Sequence, residues 1–172
     1  MIYVTHKLTE VFTLADWVLM IRQGKLVAQG VPKQALGAVN LLAQLPDDQF
    51  ENVFTARLLD SDRAAGTSRV RLDSGHELLI PHTDAPVNSP LQIRVSADDI
   101  IIATEMPRGL SAGNILAGEI QRFELADGEA MLTVRAGADF SVSLTAAAVR
   151  RLGLKEGAAV FLIIKTRSFR AL

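Results

Sequence analysis

The sequence predicts an α+β chain in which a short α/β segment is followed by two small β-barrels in tandem. Apolar residues recur at helical spacing near the start of the chain. From residue 50 onward they alternate with the period of two that is typical of half-buried strands, and this second pattern occurs twice. The length of 172 residues allows one domain or two small ones.

The first segment, residues 1–49, is predicted to contain a strand, a helix and a hairpin. Met1–Thr5 is short, apolar and β-branched, as in a buried strand. Residues 7–21 begin with apolar side chains at helical spacing, and two apolar runs then flank a tight turn at Arg22–Gly24. The turn-forming cluster at 45–49 marks the predicted domain boundary.

The two repeats are predicted to be five-stranded, OB-like barrels that span residues 50–107 and 108–172. The pattern of Leu91–Ala97 in the first superposes on that of Val160–Thr166 in the second, which indicates an internal repeat. We expect hairpin turns at 73–75 and 136–138, where glycine lies among turn-forming residues.

One insertion distinguishes the repeats. The second contains a short predicted helix, with Thr145 as its N-cap and Gly153 as its left-handed stop. The first has a loop at the same place that holds three of the chain's six prolines. Both inserts follow the third predicted strand of their repeat.

Composition excludes several classes of function. The chain has no cysteine, which excludes disulfides and thiolate metal sites, and its three histidines (His6, His76 and His82) lack zinc-site spacing. The apolar runs are too short for a membrane span. Net charge is −1, but residues 51–107 carry 5 basic against 9 acidic residues, whereas 111–172 carry 8 against 6. If one region binds an anion, the later one is therefore favoured.

The opening segment is predicted to run from a strand that ends at a histidine, through a helix, to a closing hairpin. The residues that carry this pattern are His6, Glu10, Leu14-Ala15-Asp16, Gly24-Lys25-Leu26-Val27, Gly30 and Pro32. The segment resembles the end of the nucleotide-binding domain of ABC transporter ATPases, in which a strand ends in a switch histidine, a helix follows, and a hairpin closes the segment. Lys7 and Trp17 depart from the Asp and Arg that are usual in that family.

Two stretches of the later part carry a second resemblance, "LSAGNILAGEI" at 110–120 and "LTAAAVRRLGLKEGAAVFLIIKT" at 144–166. Both resemble parts of the molybdate-binding barrel of molbindins. The first is similar to that family's S-x-R-N-x-L-x-G element, and the second to its helix, its L-x-L-x-x-G turn and its closing strand. Both resemblances together point to the C-terminal part of the ATP-binding subunit of a molybdate importer.

For ATP chemistry, the resemblance implies an ancestral catalytic role for His6, which in the family contacts the γ-phosphate and the attacking water. The sequence lacks a G-x-x-x-x-G-K-[ST] phosphate loop, so we expect no ATP hydrolysis by this chain alone. ATP and Mg²⁺ are expected only in the complete subunit, and whether this chain is an enzyme stays open.

For the oxyanion, the resemblance implies a molybdate or tungstate site made of hydroxyl, amide and ammonium donors. Gly113 departs from the family pattern, which usually has Arg there. Each residue also has a purely structural interpretation, as a turn former, a helix cap or a solvated strand residue. The implied binding residues are Ser111, Asn114, Thr145, Lys165 and Thr166.

The predicted function is a component of a molybdate or tungstate ABC import system, namely the oxyanion-binding regulatory part of its ATP-binding subunit. The alternatives are a stand-alone cytoplasmic molbindin-like protein and an ATPase tail that recognises another solute. The resemblance implies a homodimer, a permease partner and a peripheral place on the cytoplasmic face of the inner membrane, without membrane insertion. Nucleic acid is not expected as a partner, because the few aromatic residues look core-facing rather than arranged for base stacking.

Overall fold

A computed structural model describes residues 2–5, 8–22, 24–32, 35, 51–126 and 128–171 of the chain. Two compact units are present, Met1–Phe50 and Glu51–Leu172. The described residues are mostly β, with curled sheets and short helices. None of the helices in the described residues is long and apolar enough to cross a membrane.

In the first unit, helix α1 (Leu8–Leu14) precedes a hairpin of β1 (Val18–Arg22) and β2 (Lys25–Gly30). These strands pair in antiparallel register, with one irregularity between Met20 and Ile21. The helix and hairpin agree with the sequence prediction, although the helix is shorter because β1 takes over its last predicted residues. His6 lies outside the described residues.

The predicted strand at the start of the chain is wrong for the part that is described. Residues 2–5 have no regular secondary structure. The Tyr3 and Thr5 hydroxyls instead donate hydrogen bonds to the Glu10 carboxylate on α1. An apolar, β-branched segment becomes a strand only when a neighbouring strand accepts its backbone hydrogen bonds, and the described residues provide none for it.

The second unit contains ten strands and a short helix among its described residues. The strands are β3 (Glu51–Asp62), β4 (Thr67–Leu72), β5 (Glu77–Pro81), β6 (Pro90–Ser96), β7 (Ile100–Ala103), β8 (Asn114–Ala126), β9 (Glu129–Ala136), β10 (Ala138–Thr145), β11 (Ala159–Ile164) and β12 (Arg170–Ala171). They form two five-stranded antiparallel sheets, in the orders β12-β6-β3-β4-β5 and β10-β9-β8-β11-β7. The seven-residue helix α2, Ala146–Leu152, lies between β10 and β11.

Each sheet takes one strand from the other repeat. Strand β7, at the end of the first repeat, pairs with β11 in the second sheet. Strand β12, at the end of the second repeat, pairs with β6 in the first. The hydrogen bonding therefore crosses the predicted boundary between residues 107 and 108, and the division into 50–107 and 108–172 stays a prediction.

The internal repeat is visible residue by residue. Gly137, in the β9–β10 turn, follows Gly75, in the β4–β5 turn, by 62 residues. The pairing register shifts between Leu58 and Asp60 in β3, and it shifts again between Ile120 and Arg122 in β8, also 62 residues later. After α2, equivalent residues of the two repeats are 69 positions apart, and this spacing makes β11 the equivalent of β6. Both predicted turns lie where expected.

The two repeats share one apolar core. Alternating side chains of both sheets form a single buried cluster, as the period-two pattern requires. Phe140 is completely buried, and its ring centroid lies 4.7 Å from that of Phe54 on the other sheet. Phe169 is likewise buried. All three rings pack in the apolar core, as the sequence predicted.

Side-chain amides join the edge of each sheet to the other repeat. Asn52, at the start of β3, donates from Nδ2 to the carbonyl oxygen of Ser141 at 2.9 Å. Its Oδ1 accepts from the Ser141 N–H at 2.6 Å. β10 is an edge strand, so no strand among the described residues pairs with the outward-facing backbone groups of Ser141. The Asn52 amide takes the place of the backbone of a neighbouring strand. Asn52 is buried and also donates to the Val95 carbonyl.

Helix α2 has the predicted caps. The Thr145 hydroxyl accepts a hydrogen bond from the Ala148 N–H at 3.2 Å. Gly153 ends the helix in the left-handed region, at φ 62°, which an L side chain adopts only with strain. Both caps depend on residues adjacent to the helix, so the sequence alone was sufficient to predict them.

A polar network holds the loop that replaces α2 in the first repeat. The Ser61 hydroxyl donates to the Thr83 carbonyl and lies 2.8 Å from His82 Nδ1. Arg63 donates to Asp84 Oδ1 at 2.8 Å. The Arg63 hydrogen bond, with a smaller contribution from His82, holds the pKa of Asp84 below its usual value. The carboxylate of Asp84 in this loop is therefore neutralised by Arg63 of the β3–β4 turn.

We predict that Asn52→Leu lowers the free energy of unfolding by about 2–4 kcal/mol, because it leaves backbone groups of Ser141 without a partner. Urea unfolding of the whole chain measures this change. Gln92→Leu is the control, since Gln92 is exposed on β6 and should change stability by less than about 0.5 kcal/mol. An equally small effect of Asn52→Leu would contradict the amide's structural role.

Candidate functional site

Several of the predicted oxyanion-binding residues meet where β8 begins and β11 ends. Asn114 opens β8 and lies opposite Ile164, the last residue of β11. Lys165 follows directly, and a 3-10 turn at Thr166–Ser168 comes next. The antiparallel register thus brings the 110–114 segment beside the 164–168 segment, although fifty residues separate them in sequence.

Gly113 and Thr166 are in close contact. A Cβ atom at position 113 would overlap Thr166 Oγ1 and would lie 3.0 Å from Leu79 Cδ2. The space that a side chain would need at 113 is therefore filled by the Thr166 hydroxyl. This explains in steric terms why glycine suits the position at which the resembled family usually has arginine.

Asn114 uses its amide to hold the other repeat. Its Oδ1 accepts from the Leu79 N–H at 2.7 Å, and its Nδ2 donates to the Leu79 carbonyl at 2.9 Å. A longer bond of 3.4 Å runs from Nδ2 to the Ile164 carbonyl. The residue is buried. Both amide hydrogens are thus directed at backbone carbonyls, and the direct oxyanion contact expected of Asn114 stays a prediction.

Asn114 and Asn52 are equivalent residues, separated by 62 positions, as are their partners Ser141 and Leu79. Each amide pairs with both backbone groups of one residue on the edge strand of the opposite repeat. We call these two contacts the reciprocal amide clamps. The Asn114 clamp lies next to Gly113 and Ile164 and so joins the candidate site to β5.

Two cations flank Thr166. Lys165 and Arg167 are both exposed, and neither forms an ion pair within the part of the chain that the structure describes. By contrast, the arginines on the first repeat's hairpin are paired: Arg69 contacts Asp60, and Arg71 contacts Glu77 at 2.7 Å. The 164–168 segment therefore presents positive charge that acidic side chains in the described residues do not neutralise.

The other two predicted oxyanion-binding residues, Ser111 and Thr145, lie at different places in the fold. Ser111 is exposed in the loop before β8, three residues from Asn114. Thr145 is exposed at the end of β10, and its neighbour in register, Glu129, lies opposite Ala126 at the far end of β8. Within the chain, Thr145 is therefore not part of the cluster around Asn114. Its hydroxyl serves as the cap of α2.

The described residues contain no group of three or more His, Asp or Glu side chains placed to hold a metal ion. His76 lies over Gly137, at the meeting point of two hairpin turns, and His82 belongs to the polar loop network. The switch histidine expected at position 6 is outside the described residues.

Comparison with known proteins finds a family match over the part of the chain that contains the candidate site. Residues 110–169 match the TOBE domain family. The match covers the 110–114 segment, β8 to β11 and the basic turn, which are the elements of the candidate site.

Curated relatives extend the similarity over nearly the whole chain. The molybdenum import ATP-binding protein ModC of Mesorhizobium japonicum is 34% identical over 173 residues, covering 98% of this chain and 46% of the relative. ModC of Rhizobium etli is 33% identical over 171 residues, with 96% and 46% covered. The chain thus spans about half the length of the curated relatives it matches, and it resembles the C-terminal part of a molybdate importer ATPase.

A solved structure supports the fold of the second unit. The crystal structure of the cytoplasmic molybdate-binding protein ModG with molybdate bound matches with a TM-score of 0.63 and 25% identity. The match covers 70% of this chain and 94% of ModG. The curled, mostly β sheets are consistent with the OB-like character predicted for residues 50–172 of the α+β chain.

Sequence reasoning missed two participants in the cluster. Arg167 was overlooked although it lies two residues after Lys165 in a basic region. Leu79 carries no chemical signal of its own, because only its backbone contacts Asn114. The recurrence of asparagine at positions 52 and 114 was the available clue, since polar residues at equivalent, buried positions suggest a shared structural task.

We predict that Gly113→Ala lowers the free energy of unfolding by about 1–3 kcal/mol, because the added methyl group collides with Thr166 Oγ1. In a Thr166→Ala background the same change should cost at least about 1 kcal/mol less, since the collision with Oγ1 is removed and only the contacts with Leu79 Cδ2 at 3.0 Å and with Cβ at 3.6 Å remain. A double-mutant cycle by urea unfolding measures the coupling. Equal costs in both backgrounds would mean that Thr166 does not fill the space at 113.

Proposed function

We propose that this chain is the C-terminal, oxyanion-binding part of the ATP-binding subunit of a molybdate or tungstate ABC importer. The observation that carries the proposal is the basic 164–168 segment, packed against the 110–114 segment inside a TOBE match. Similarity to molybdenum import ATP-binding proteins over 98% of the chain supports the importer assignment. The proposed role is to sense intracellular oxyanion and regulate import.

The proposed site holds the oxyanion by charge-assisted hydrogen bonds. The ammonium of Lys165 is exposed and unpaired in the described residues, so it can approach a dianion without first losing an acidic partner. The hydroxyls of Thr166 and Ser111 supply neutral donors. Asn114 fixes the backbone from which Lys165 projects, through its bond to the Ile164 carbonyl. Thr145 would contribute only from a second copy, which fits a homodimer.

Exposed apolar side chains on the first unit support contact with another part of the complete subunit. Trp17, Leu19, Ile21 and Leu26 on or beside its hairpin are between 55% and 68% exposed. Apolar groups exposed together mark surfaces that become covered in an assembly. We propose that further polypeptide of the subunit covers them, and that ATP, Mg²⁺ and the permease are engaged by the complete subunit at the cytoplasmic face of the inner membrane. His6 would act only there.

A stand-alone oxyanion-binding protein is the second candidate, favoured by the match to 94% of ModG. That match leaves 30% of this chain uncovered, whereas the importer relatives cover almost all of it. The importer assignment is therefore preferred.

We predict that the purified chain binds molybdate and tungstate in isothermal titration, and that Lys165→Ala weakens binding roughly 10- to 100-fold, the value of a charge-assisted hydrogen bond. Lys155→Ala is the matched control, because Lys155 is an exposed lysine outside the cluster. Sulfate and phosphate should bind more weakly. Absence of binding to all four anions, or equal losses for both lysine variants, would refute the proposed site.

A further inference from the structure

The reciprocal amide clamps identify a second place in the fold that is equivalent to the candidate site. Asn52 bonds to the carbonyl of Val95 near the end of β6, just as Asn114 bonds to the carbonyl of Ile164 at the end of β11. Both strands lead into a 3-10 turn, Ala97–Asp99 in the first repeat and Thr166–Ser168 in the second. The backbone is therefore the same at both places.

The side chains at the two places have opposite chemistry. The first turn, preceded by Ser96, carries the exposed carboxylates of Asp98 and Asp99. The second turn is preceded by Lys165 and carries Arg167, both exposed cations. The hydroxyl of Thr166 is replaced in the first repeat by the methyl group of Ala97, which is completely buried.

This difference decides where an anion can bind. A dianion at the first turn would face two carboxylates and no cation of the turn, and like charges at close range repel. At the second turn it would face a lysine and an arginine, which attract it and donate hydrogen bonds. Of the two equivalent turns, only the second is therefore favourable for anion binding.

We infer that the chain binds a single oxyanion, at the Lys165–Ser168 turn, with Arg167 as a further binding residue and the acidic turn at Asp98–Asp99 excluding anions from the equivalent place. This inference rests on the proposed function. It adds a stoichiometry, one cation that the resemblance did not assign, and the residues that distinguish the two turns.

The first experiment is isothermal titration of the whole chain with sodium molybdate. We expect one molybdate per chain. Arg167→Ala should weaken binding at least fivefold, whereas Arg151→Ala, an exposed arginine on α2, should change it less than twofold. Two molybdates per chain in the wild type, or equal affinities of the wild type and Arg167→Ala, would overturn the inference while leaving oxyanion binding itself intact. No binding at all would refute the proposed function as well.

The second experiment transfers the basic residues to the first turn. A Ser96→Lys, Asp98→Arg, Asp99→Ser variant should bind two molybdates per chain, because it gives the first turn the cations of the second and removes both carboxylates. Ser96→Gln, Asp98→Gln, Asp99→Ser is the matched control, which removes both carboxylates without adding cations and should still bind one. Circular dichroism verifies that both variants are folded. One molybdate bound by the folded basic variant would mean that charge does not distinguish the two turns.

Discussion

Two side-chain amides join the repeats of the β-rich unit, because each pairs with backbone groups as the peptide group of a neighbouring strand would. An edge strand presents backbone groups that no neighbouring strand pairs, and leaving them buried without partners is costly. Asn52 and Asn114 each satisfy both groups of one such residue in the opposite repeat. Asn52 is the second residue of β3 and Asn114 the first of β8, so each contact holds the start of a long strand against the opposite repeat. The placement of the candidate site follows from this, since Gly113 immediately precedes Asn114.

Local features of the fold were predictable from the sequence, and non-local ones were not. The caps of α2 and the turns at Gly75 and Gly137 depend on a few consecutive residues, so they could be read directly. The strand expected at the start of the chain failed because strand formation depends on a neighbour that sequence pattern does not reveal. The exchange of β7 and β12 between sheets was missed for the same reason.

The candidate site was predictable to the extent that its chemistry is local. Lys165 and Thr166 are adjacent in sequence, and their resemblance to a known closing strand located them beside the 110–114 segment. The use of Asn114 as a clamp was not predictable from its motif, since an asparagine after a glycine suits a turn, a ligand contact or a long-range bond equally well. Only the position of Leu79 distinguishes these, and it depends on how the two repeats pack.

The exchange of end strands has a consequence for biosynthesis. The ribosome releases the first repeat before the second, and a repeat that closed its own sheet could fold at once. Here β6 receives β12 from the far end of the second repeat, while β11 receives β7 from the end of the first. The first sheet therefore stays incomplete until translation of residues 170–171, and the two repeats reach their final form together. Neither half is a separable module, so a gene break between them would leave two chains that each lack a strand.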